Sequence, residues 1–222
     1  MKIVACMASS ADGRIAYDIA APYKALGSAE DLLWLRTIRD AAQAVVYGGS
    51  TFRAYPKLHA REDKTLPLLA HGIVTRAVDL EVSLPVDAPL WQAATDTEIT
   101  IFTPVEIPMS QRQRYPKQLC WVTFTPDKPY PLQVCAYYQS KSVETLLIEG
   151  GGQMLYAFLQ EKCLDTLFLT WCPLLLGGLQ QPQMLLGEGF QFENAPRLKI
   201  ESTRHVPSTD ELFMTLSVQY PS

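Results

Sequence analysis

The stretch from Leu146 to Leu159 constrains the fold of this chain more than any other. An apolar run ends in the single carboxylate of Glu149, three consecutive glycines follow, and apolar residues then recur at helical spacing. This order predicts a buried strand, a tight glycine turn and the start of a helix. Backbone N–H groups and the positive helix end would then meet at a sheet's carboxyl edge, which suits a phosphate. The alternative is a helix-entry turn whose glycines only supply unusual backbone angles.

Strand-like and helix-like segments alternate along most of the chain, which predicts an α/β fold with a mostly parallel sheet. Strands are predicted at 2–8, 44–47, 72–75, 99–103, 119–124, 145–149 and 166–171, and helices at 28–42, 131–141 and 151–161. Residues 197–205 and 211–220 alternate and predict a C-terminal antiparallel hairpin. The proline-bearing stretches 85–91, 104–116 and 126–131 resemble loops, so a single domain over residues 1–222 is expected.

Composition argues against several classes of protein. The chain has 222 residues, 48% of them hydrophobic, and a net charge of −4, which is ordinary for a globular protein. No basic cluster suggests a nucleic-acid surface, and no apolar run has the length of a membrane span. Five scattered cysteines without a Cys-x-x-Cys pair, and only three histidines, predict reduced thiols and no metal site. No signal sequence is apparent, so we expect a cytoplasmic protein.

Two further strand ends carry residues suited to a nucleotide. Gly48-Gly49-Ser50-Thr51 repeats the pattern of a buried strand, glycines and a hydroxyl residue. Thr51 would donate to a carboxamide or phosphate oxygen, or would simply cap a helical turn. Thr75 and Arg76 close the third strand, where the guanidinium would suit a ribose 2′-phosphate and thereby select NADPH. The alternative for Arg76 is a solvent-facing residue in a turn.

Three arginines and one carboxylate are candidates for a substrate pocket. Arg36 and Arg39 lie three residues apart on the first helix, a spacing that more often marks a solvated face. Arg61 follows in a polar loop, and convergence with a helix arginine would make an anion pocket. Glu149 is costly to bury without partners, so it would accept hydrogen bonds from a bound ring or ribose, or cap nearby backbone.

Together these pieces resemble the reductase domain of bacterial riboflavin biosynthesis, which has a dihydrofolate-reductase-like fold. The resemblance covers nearly the whole chain in order. The motifs that carry it are Ser10-Ala11-Asp12-Gly13-Arg14-Ile15-Ala16, the helix from Ser28 to Arg39, Gly49-Ser50-Thr51, Leu58-His59-Ala60-Arg61, Leu147-Ile148-Glu149-Gly150-Gly151 and Pro173-Leu174-Leu175-Leu176-Gly177-Gly178. The Leu-Ile-Glu-Gly-Gly motif is the most specific of them.

The resemblance implies an enzyme that uses NADPH to reduce 5-amino-6-(5-phosphoribosylamino)uracil at the ribose C1′. It implies a homodimer and a phosphorylated small-molecule substrate, and it suggests no residue as proton donor. The zinc deaminase motifs H-x-E and P-C-x-x-C are absent, so no deaminase domain is expected in this chain. Residues implied to line the cofactor are Ala8, Thr51, Thr75, Arg76, Gly151, Gly152, Gln153, Met154, Leu155 and Tyr156. Residues implied to line the substrate are Arg39, Leu58, Arg61 and Glu149.

Departures from the family pattern leave other readings open. Tyr55 stands where the family usually has an acid before proline, and Lys24 replaces a small polar residue. A reductase of another pyrimidine or pterin, including dihydrofolate, is the first alternative, since Gly150-Gly151-Gly152-Gln153 also resembles dihydrofolate reductases. Glu30 and Asp31 look like capping acids rather than pterin ligands, which argues against dihydrofolate. A non-catalytic NADPH-binding paralogue is the second alternative.

Overall fold

The computed structural model describes residues 1–17, 24–75 and 80–221, and these residues form a single sheet of nine strands. The strands are β1 (Lys2–Ser10), β2 (Ala44–Gly48), β3 (Ala70–Val74), β4 (Ile99–Thr103), β5 (Cys120–Thr123), β6 (Thr145–Ile148), β7 (Thr166–Cys172), β8 (Arg197–Val206) and β9 (Glu211–Gln219). Their spatial order is β5-β4-β3-β2-β6-β1-β7-β9-β8. Strands β1 to β7 pair in parallel, and β8 and β9 add an antiparallel hairpin. The predicted fold class is confirmed.

Helices occupy both faces of this sheet. They are α1 (Ala29–Asp40), α2 (Gly49–Ala54), α3 (Leu80–Ser83), α4 (Met109–Arg112), α5 (Tyr130–Ser140) and α6 (Gly152–Gln160), with a 3₁₀ helix at Pro89–Thr95. The prediction of loops at 85–91 and 104–116 was wrong in part, because the 3₁₀ helix and α4 fall there. The 3₁₀ helix begins at Pro89 and α4 directly follows Pro108, and proline's fixed backbone angle suits the start of a helix as well as a loop.

The hydrophobic core lies in two layers, one on each face of the sheet. Ile38 of α1 and Phe52 of α2 pack with Val4 of β1 on one face. Leu155 and Phe158 of α6 pack on the other face. Side chains along a strand alternate between the two faces, so β1 contributes to both layers and is central to the fold.

The first helix begins where the sequence predicts. The Ser28 hydroxyl accepts hydrogen bonds from the backbone N–H groups of Glu30 and Asp31, at 3.2 and 3.3 Å. These bonds satisfy two of the N–H groups that a helix start leaves without intrahelical partners. The cap fixes which side chains of the first turn face the sheet, and Asp31 is one of them.

The chain path makes the carboxyl ends of β1 and β6 the expected place for a ligand, and this edge of the sheet is called the crevice from here on. Helix α1 leaves β1 across one face to reach β2, whereas α6 leaves β6 across the opposite face to reach β7. Two neighbouring strands whose connections leave on opposite faces make a topological switch point. Ligands of open α/β sheets bind outside the strand ends at such a point.

Candidate active site

Most of the predicted site residues meet at this crevice. Ile148 of β6 lies opposite Ala5 of β1 and Val46 of β2, so Glu149 emerges between these two strands. Val74 of β3 lies opposite Gly48 of β2, which places Thr75 beside the start of α2. The structure therefore brings Ala8, Glu149 and the starts of α2 and α6 to one edge, with Thr75 beside α2. Arg76 lies outside the described residues.

Two helix starts at this edge lack a side-chain cap. Gly48 precedes α2 and Gly151 precedes α6, and neither provides a side-chain acceptor for the first turn. A methyl group built on Gly151 would meet no atom within 4 Å, whereas one on Gly152 would lie 2.2 Å from the carbonyl oxygen of Gln183. Gly151 thus borders open space, whereas Gly152 packs closely against the backbone near Gln183. An open glycine at an uncapped helix start fits a phosphate-bearing cofactor.

The remaining residues of α6 predicted to line a cofactor face in different directions. Gln153 is exposed, whereas Met154 and Leu155 are buried in the core below the helix. The Tyr156 hydroxyl donates to the carbonyl oxygen of Gly189 at 3.0 Å and so anchors the loop after β7. The backbone N–H groups of Met154 and Leu155 both donate to the carbonyl oxygen of Gly151, at 3.0 and 3.2 Å, so they are already paired within the helix start.

Glu149 is held by two side chains from other parts of the chain. Arg39 makes a bidentate pair with it, with Nε 2.7 Å from Oε1 and Nη2 2.7 Å from Oε2. His59 Nδ1 lies 3.0 Å from Oε2. Arg39 Nη1 also donates to the carbonyl oxygen of Ala60 at 3.0 Å. These bonds fix the carboxylate at the strand tip, and its partners are protein groups that the sequence did not reveal.

The electrostatics of this cluster keep the carboxylate ionised. Burial by itself would raise the pKa of Glu149, but the charges of His59 and Arg39 and their hydrogen bonds lower it far below the ordinary range. Burial would conversely lower the pKa of Arg39, and the charge of Glu149 reverses that effect and raises it. Both partners are therefore charged at neutral pH.

Arg61 is buried and binds the end of α1. Its Nη1 donates to the carbonyl oxygen of Asp40 at 2.9 Å and its Nη2 to that of Ala42 at 2.6 Å. The Asp40 carbonyl is one that a helix end leaves unpaired, and Ala42 lies just beyond the C-cap residue. Leu58, in the same loop, packs against the core beside α1. Arg36 is half-buried and lies 3.7 Å from Glu62, so it does not share the surroundings of Arg39.

A buried ring cluster lies behind Glu149, and the sequence analysis assigned none of its members a role. His59 stacks on Tyr47 with ring centroids 4.4 Å apart, and the Tyr47 hydroxyl lies 2.9 Å from Nδ1 of His71. Burial and the charge of His59 hold the pKa of His71 well below its usual value, so that ring is neutral. Tyr55, the departure from the family acid, meets the His59 ring edge-on at 5.5 Å. The only sequence signal was a histidine inside the Leu-x-x-Arg motif.

Asp31 is the second carboxyl group at the crevice. It looked like a helix-capping acid, but Ser28 is the cap and the Asp31 side chain turns toward the sheet. Its Oδ1 accepts a hydrogen bond of 2.5 Å from the hydroxyl of Thr170. Thr170 is fully buried on β7, directly opposite Ala8 of β1. Burial, reinforced by the charge of Glu211, raises the pKa of Asp31.

The described ranges lack two other kinds of site. No group of three or more histidine, cysteine, aspartate or glutamate side chains in residues 1–17, 24–75 and 80–221 is arranged to hold a metal ion. In the same ranges, no helix has the length and apolar character needed to cross a bilayer.

Two curated proteins resemble the chain over most of its length. The riboflavin biosynthesis protein RibD of Bacillus amyloliquefaciens is 26% identical over 196 residues, which are 86% of this chain and 51% of that protein. The chain thus spans about half the length of this relative. A 2,5-diamino-6-ribosylamino-4(3H)-pyrimidinone 5′-phosphate reductase of Archaeoglobus fulgidus is 22% identical over 191 residues, 83% of this chain and 85% of that protein.

Solved structures agree on the fold, and a family model agrees on the family. Acinetobacter baumannii RibD superposes with a TM-score of 0.77 at 18% identity, covering 98% of this chain and 58% of that one. A dihydrofolate reductase from Enterococcus faecalis gives a TM-score of 0.53 at 11% identity, covering 100% of this chain and 97% of that one. The family model of the RibD C-terminal domain matches residues 1–209. The chain belongs to the RibD C-terminal domain family.

Proposed function

We propose that this chain is an NADPH-dependent reductase that converts 5-amino-6-(5-phosphoribosylamino)uracil into the ribitylamino product. The observation that carries the proposal is the ionised Glu149, fixed by Arg39 and His59 beside the open start of α6. An anion-binding helix start next to a rigid hydrogen-bond acceptor suits a phosphate-bearing cofactor on one side and a polar ring on the other. The name of the Archaeoglobus fulgidus relative supports a pyrimidine ribosyl phosphate as substrate, and that of the Bacillus amyloliquefaciens relative supports riboflavin biosynthesis.

The proposed cofactor site follows the strand ends. Residues 151–153 at the start of α6 and Thr51 in the first turn of α2 would hold phosphate and carboxamide oxygens, and Thr75 would add a hydroxyl. Ala8, small and on the central strand, would border the nicotinamide. Bound NADPH supplies a hydride, which is the reducing equivalent of the reaction.

The proposed substrate site lies on the α1 face of the crevice. Glu149 would accept hydrogen bonds from ring N–H or ribose hydroxyl groups, and Leu58 would pack against the ring. Arg39 and Arg61 already donate to protein acceptors, so they would favour the substrate phosphate through charge. Fixing the substrate carbon in one position accounts for much of the rate enhancement expected of such a site.

A substrate panel with the purified chain tests the proposal. NADPH oxidation is measured with the deaminated aminouracil ribosyl phosphate, with its 2,5-diamino precursor and with dihydrofolate. Turnover of the first supports the proposal, whereas turnover of only another compound favours the reductase of a different ring that Tyr55 suggests. NADPH binding without turnover of any compound favours a non-catalytic paralogue, and absence of NADPH binding overturns both enzymatic readings.

The choice of cofactor depends on Arg76 in this proposal. Arg76→Ala should weaken NADPH binding much more than NADH binding, because only NADPH carries the 2′-phosphate that the guanidinium would bind. Fluorescence titration of both cofactors measures the two dissociation constants. Equal losses for NADPH and NADH would remove Arg76 from the site.

We also propose a homodimer, supported by the family resemblance. Multi-angle light scattering of the purified chain should give twice the mass of one chain. A monomeric mass over the whole concentration range would contradict it.

A further inference from the structure

Asp31 stands out among the groups at the crevice because it faces the site without a basic partner. Its nearest polar contact is the Thr170 hydroxyl, and no lysine, arginine or histidine in the described part of the chain lies within 4 Å of its carboxyl oxygens. Gly27 leaves room for the group, since a methyl group there would lie 2.1 Å from Asp31 Oδ2. The side chain is only half-buried, so the residue keeps some access to solvent.

The groups around Asp31 disfavour a negative charge on it. Glu211, at the start of β9, is nearly fully buried and accepts hydrogen bonds from the Ser28 N–H at 2.8 Å and the Ser28 hydroxyl at 2.5 Å. Cys172 of β7 and Cys6 of β1 also face this corner, and the charge of Asp31 contributes to the raised pKa of both thiols. Asp31 therefore retains its proton to higher pH than an exposed aspartate does.

Three of the other titratable groups at the crevice, Glu149, Tyr47 and Cys6, are poorly suited to giving up a proton near neutral pH. Glu149 is ionised, and burial raises the pKa of Tyr47 and of Cys6 well above their usual values. His59 is committed through Nδ1 to Glu149, and its Nε2 is shielded from solvent without a hydrogen-bond partner in the described ranges. Asp31 combines a proton that is held at higher pH with partial access to solvent.

We propose that Asp31 is the catalytic acid of the reduction, an inference that rests on the proposed function. As the C1′–nitrogen double bond of the ring-opened substrate gains hydride at C1′, its π electrons move to nitrogen. The Asp31 carboxyl donates its proton to that nitrogen, which leaves an amine and a carboxylate, and water returns a proton to the carboxylate. The hydride comes from the nicotinamide, which is oxidised. Thr170 is a positioning residue that holds Oδ1, and Oδ2 would carry the proton.

Three variants test this assignment. Asp31→Asn keeps an acceptor for Thr170 but carries no acidic proton, Thr170→Val removes the hydrogen bond, and Glu30→Gln is an exposed neighbour that serves as control. Asp31→Asn should lower kcat by about 10²- to 10⁴-fold, the usual range for a general acid, with an unchanged NADPH dissociation constant. In a pH profile of kcat, the activity of the unmodified protein should fall as pH rises through the Asp31 pKa. This alkaline limb of the profile should be absent in Asp31→Asn. Thr170→Val should move the limb to higher pH, because the hydroxyl bond lowers that pKa.

A second readout does not depend on turnover. Carbon-13 NMR of the cofactor-free protein should show one aspartate carboxyl, absent in Asp31→Asn, that titrates above the ordinary value of about 3.9 and higher still in Thr170→Val. Titration at or below the ordinary value overturns the assignment, as does an Asp31→Asn variant as active as the Glu30→Gln control. An unmodified protein that reduces no substrate overturns the proposed function itself, and the role of Asp31 with it.

Discussion

The crevice holds two carboxyl groups, Glu149 and Asp31, in opposite electrostatic surroundings. Glu149 at the tip of β6 lies against the Arg39 guanidinium and His59, which hold its pKa far below the ordinary range despite burial. Asp31, above β7, has a hydroxyl and a second carboxylate for neighbours, and burial raises its pKa. Both charges act on Cys6, so the two groups flank the same strand.

The difference separates the roles that two carboxyl groups can play in one site. A carboxylate fixed by a bidentate arginine stays ionised and oriented, which suits hydrogen-bond acceptance from a substrate. A carboxyl group without a basic partner, and with a raised pKa, suits proton donation. In many enzymes, the surroundings of two carboxyl groups push their pKa values apart, so that one acts as the acid and the other stays ionised.

Glu149→Gln should give the largest effect, because it leaves the buried Arg39 charge without its partner. Removing one member of a buried ion pair typically costs about 3–5 kcal/mol of unfolding free energy. Urea unfolding measures the loss. Glu98→Gln is the control, since Glu98 pairs with the exposed Lys141 at 2.8 Å and a surface pair contributes about 0–1 kcal/mol. Equal losses in the two variants would mean that the Glu149 pair is solvated.

Arg61→Ala should rank second, because Arg61 holds the end of the helix that carries both Asp31 and Arg39. Hydrogen bonds from a charged donor contribute about 1.5–3 kcal/mol each, and we expect a net loss of about 2–3 kcal/mol in unfolding free energy. Arg36→Ala, which removes only the exposed Glu62 pair, should cost about 0–1 kcal/mol. If Arg61 also favours the substrate phosphate, its variant should raise KM without changing NADPH affinity.

The smallest effect expected is the change in stability caused by Asp31→Asn, whose dependence on pH should have the opposite sign to that of Glu149. The folded-state pKa of Glu149 is depressed, so its contribution is present above about pH 4.3 and declines as pH falls below that value. The folded-state pKa of Asp31 is raised, so its contribution is full below about pH 3.9 and declines as pH rises through the folded-state pKa. Asp31→Asn should therefore be more stable than the unmodified protein at neutral pH, and the gap should shrink toward pH 4. If the stability difference between Asp31→Asn and the unmodified protein grew as the pH was lowered, the pKa of Asp31 would be depressed rather than raised.

The helices and strands could be predicted from patterns of neighbouring residues. The site could not, because it is formed by contacts between residues far apart in the sequence. Apolar runs located the strands, and Ser28 located the start of α1, because both signals depend on neighbouring residues. The sequence could not show that Arg39 meets Glu149, which is 110 residues away, or that Asp31 meets Thr170, 139 residues away. Arg36 and Arg39 looked equivalent by spacing, and only the docking of α1 on the sheet distinguishes them.

The position of β1 in the sheet also bears on how the molecule comes into being. Strand β1 comes before the other eight strands of this sheet, yet it lies between β6 and β7, so it gains its neighbours only after β2 to β5 have been made. Strands β2 to β5 can assemble earlier, since they pair with one another in order. Contacts between such distant segments slow folding. The crevice at the end of β1 is thus among the last features to be completed, and any truncation before residue 172 would remove one of its walls.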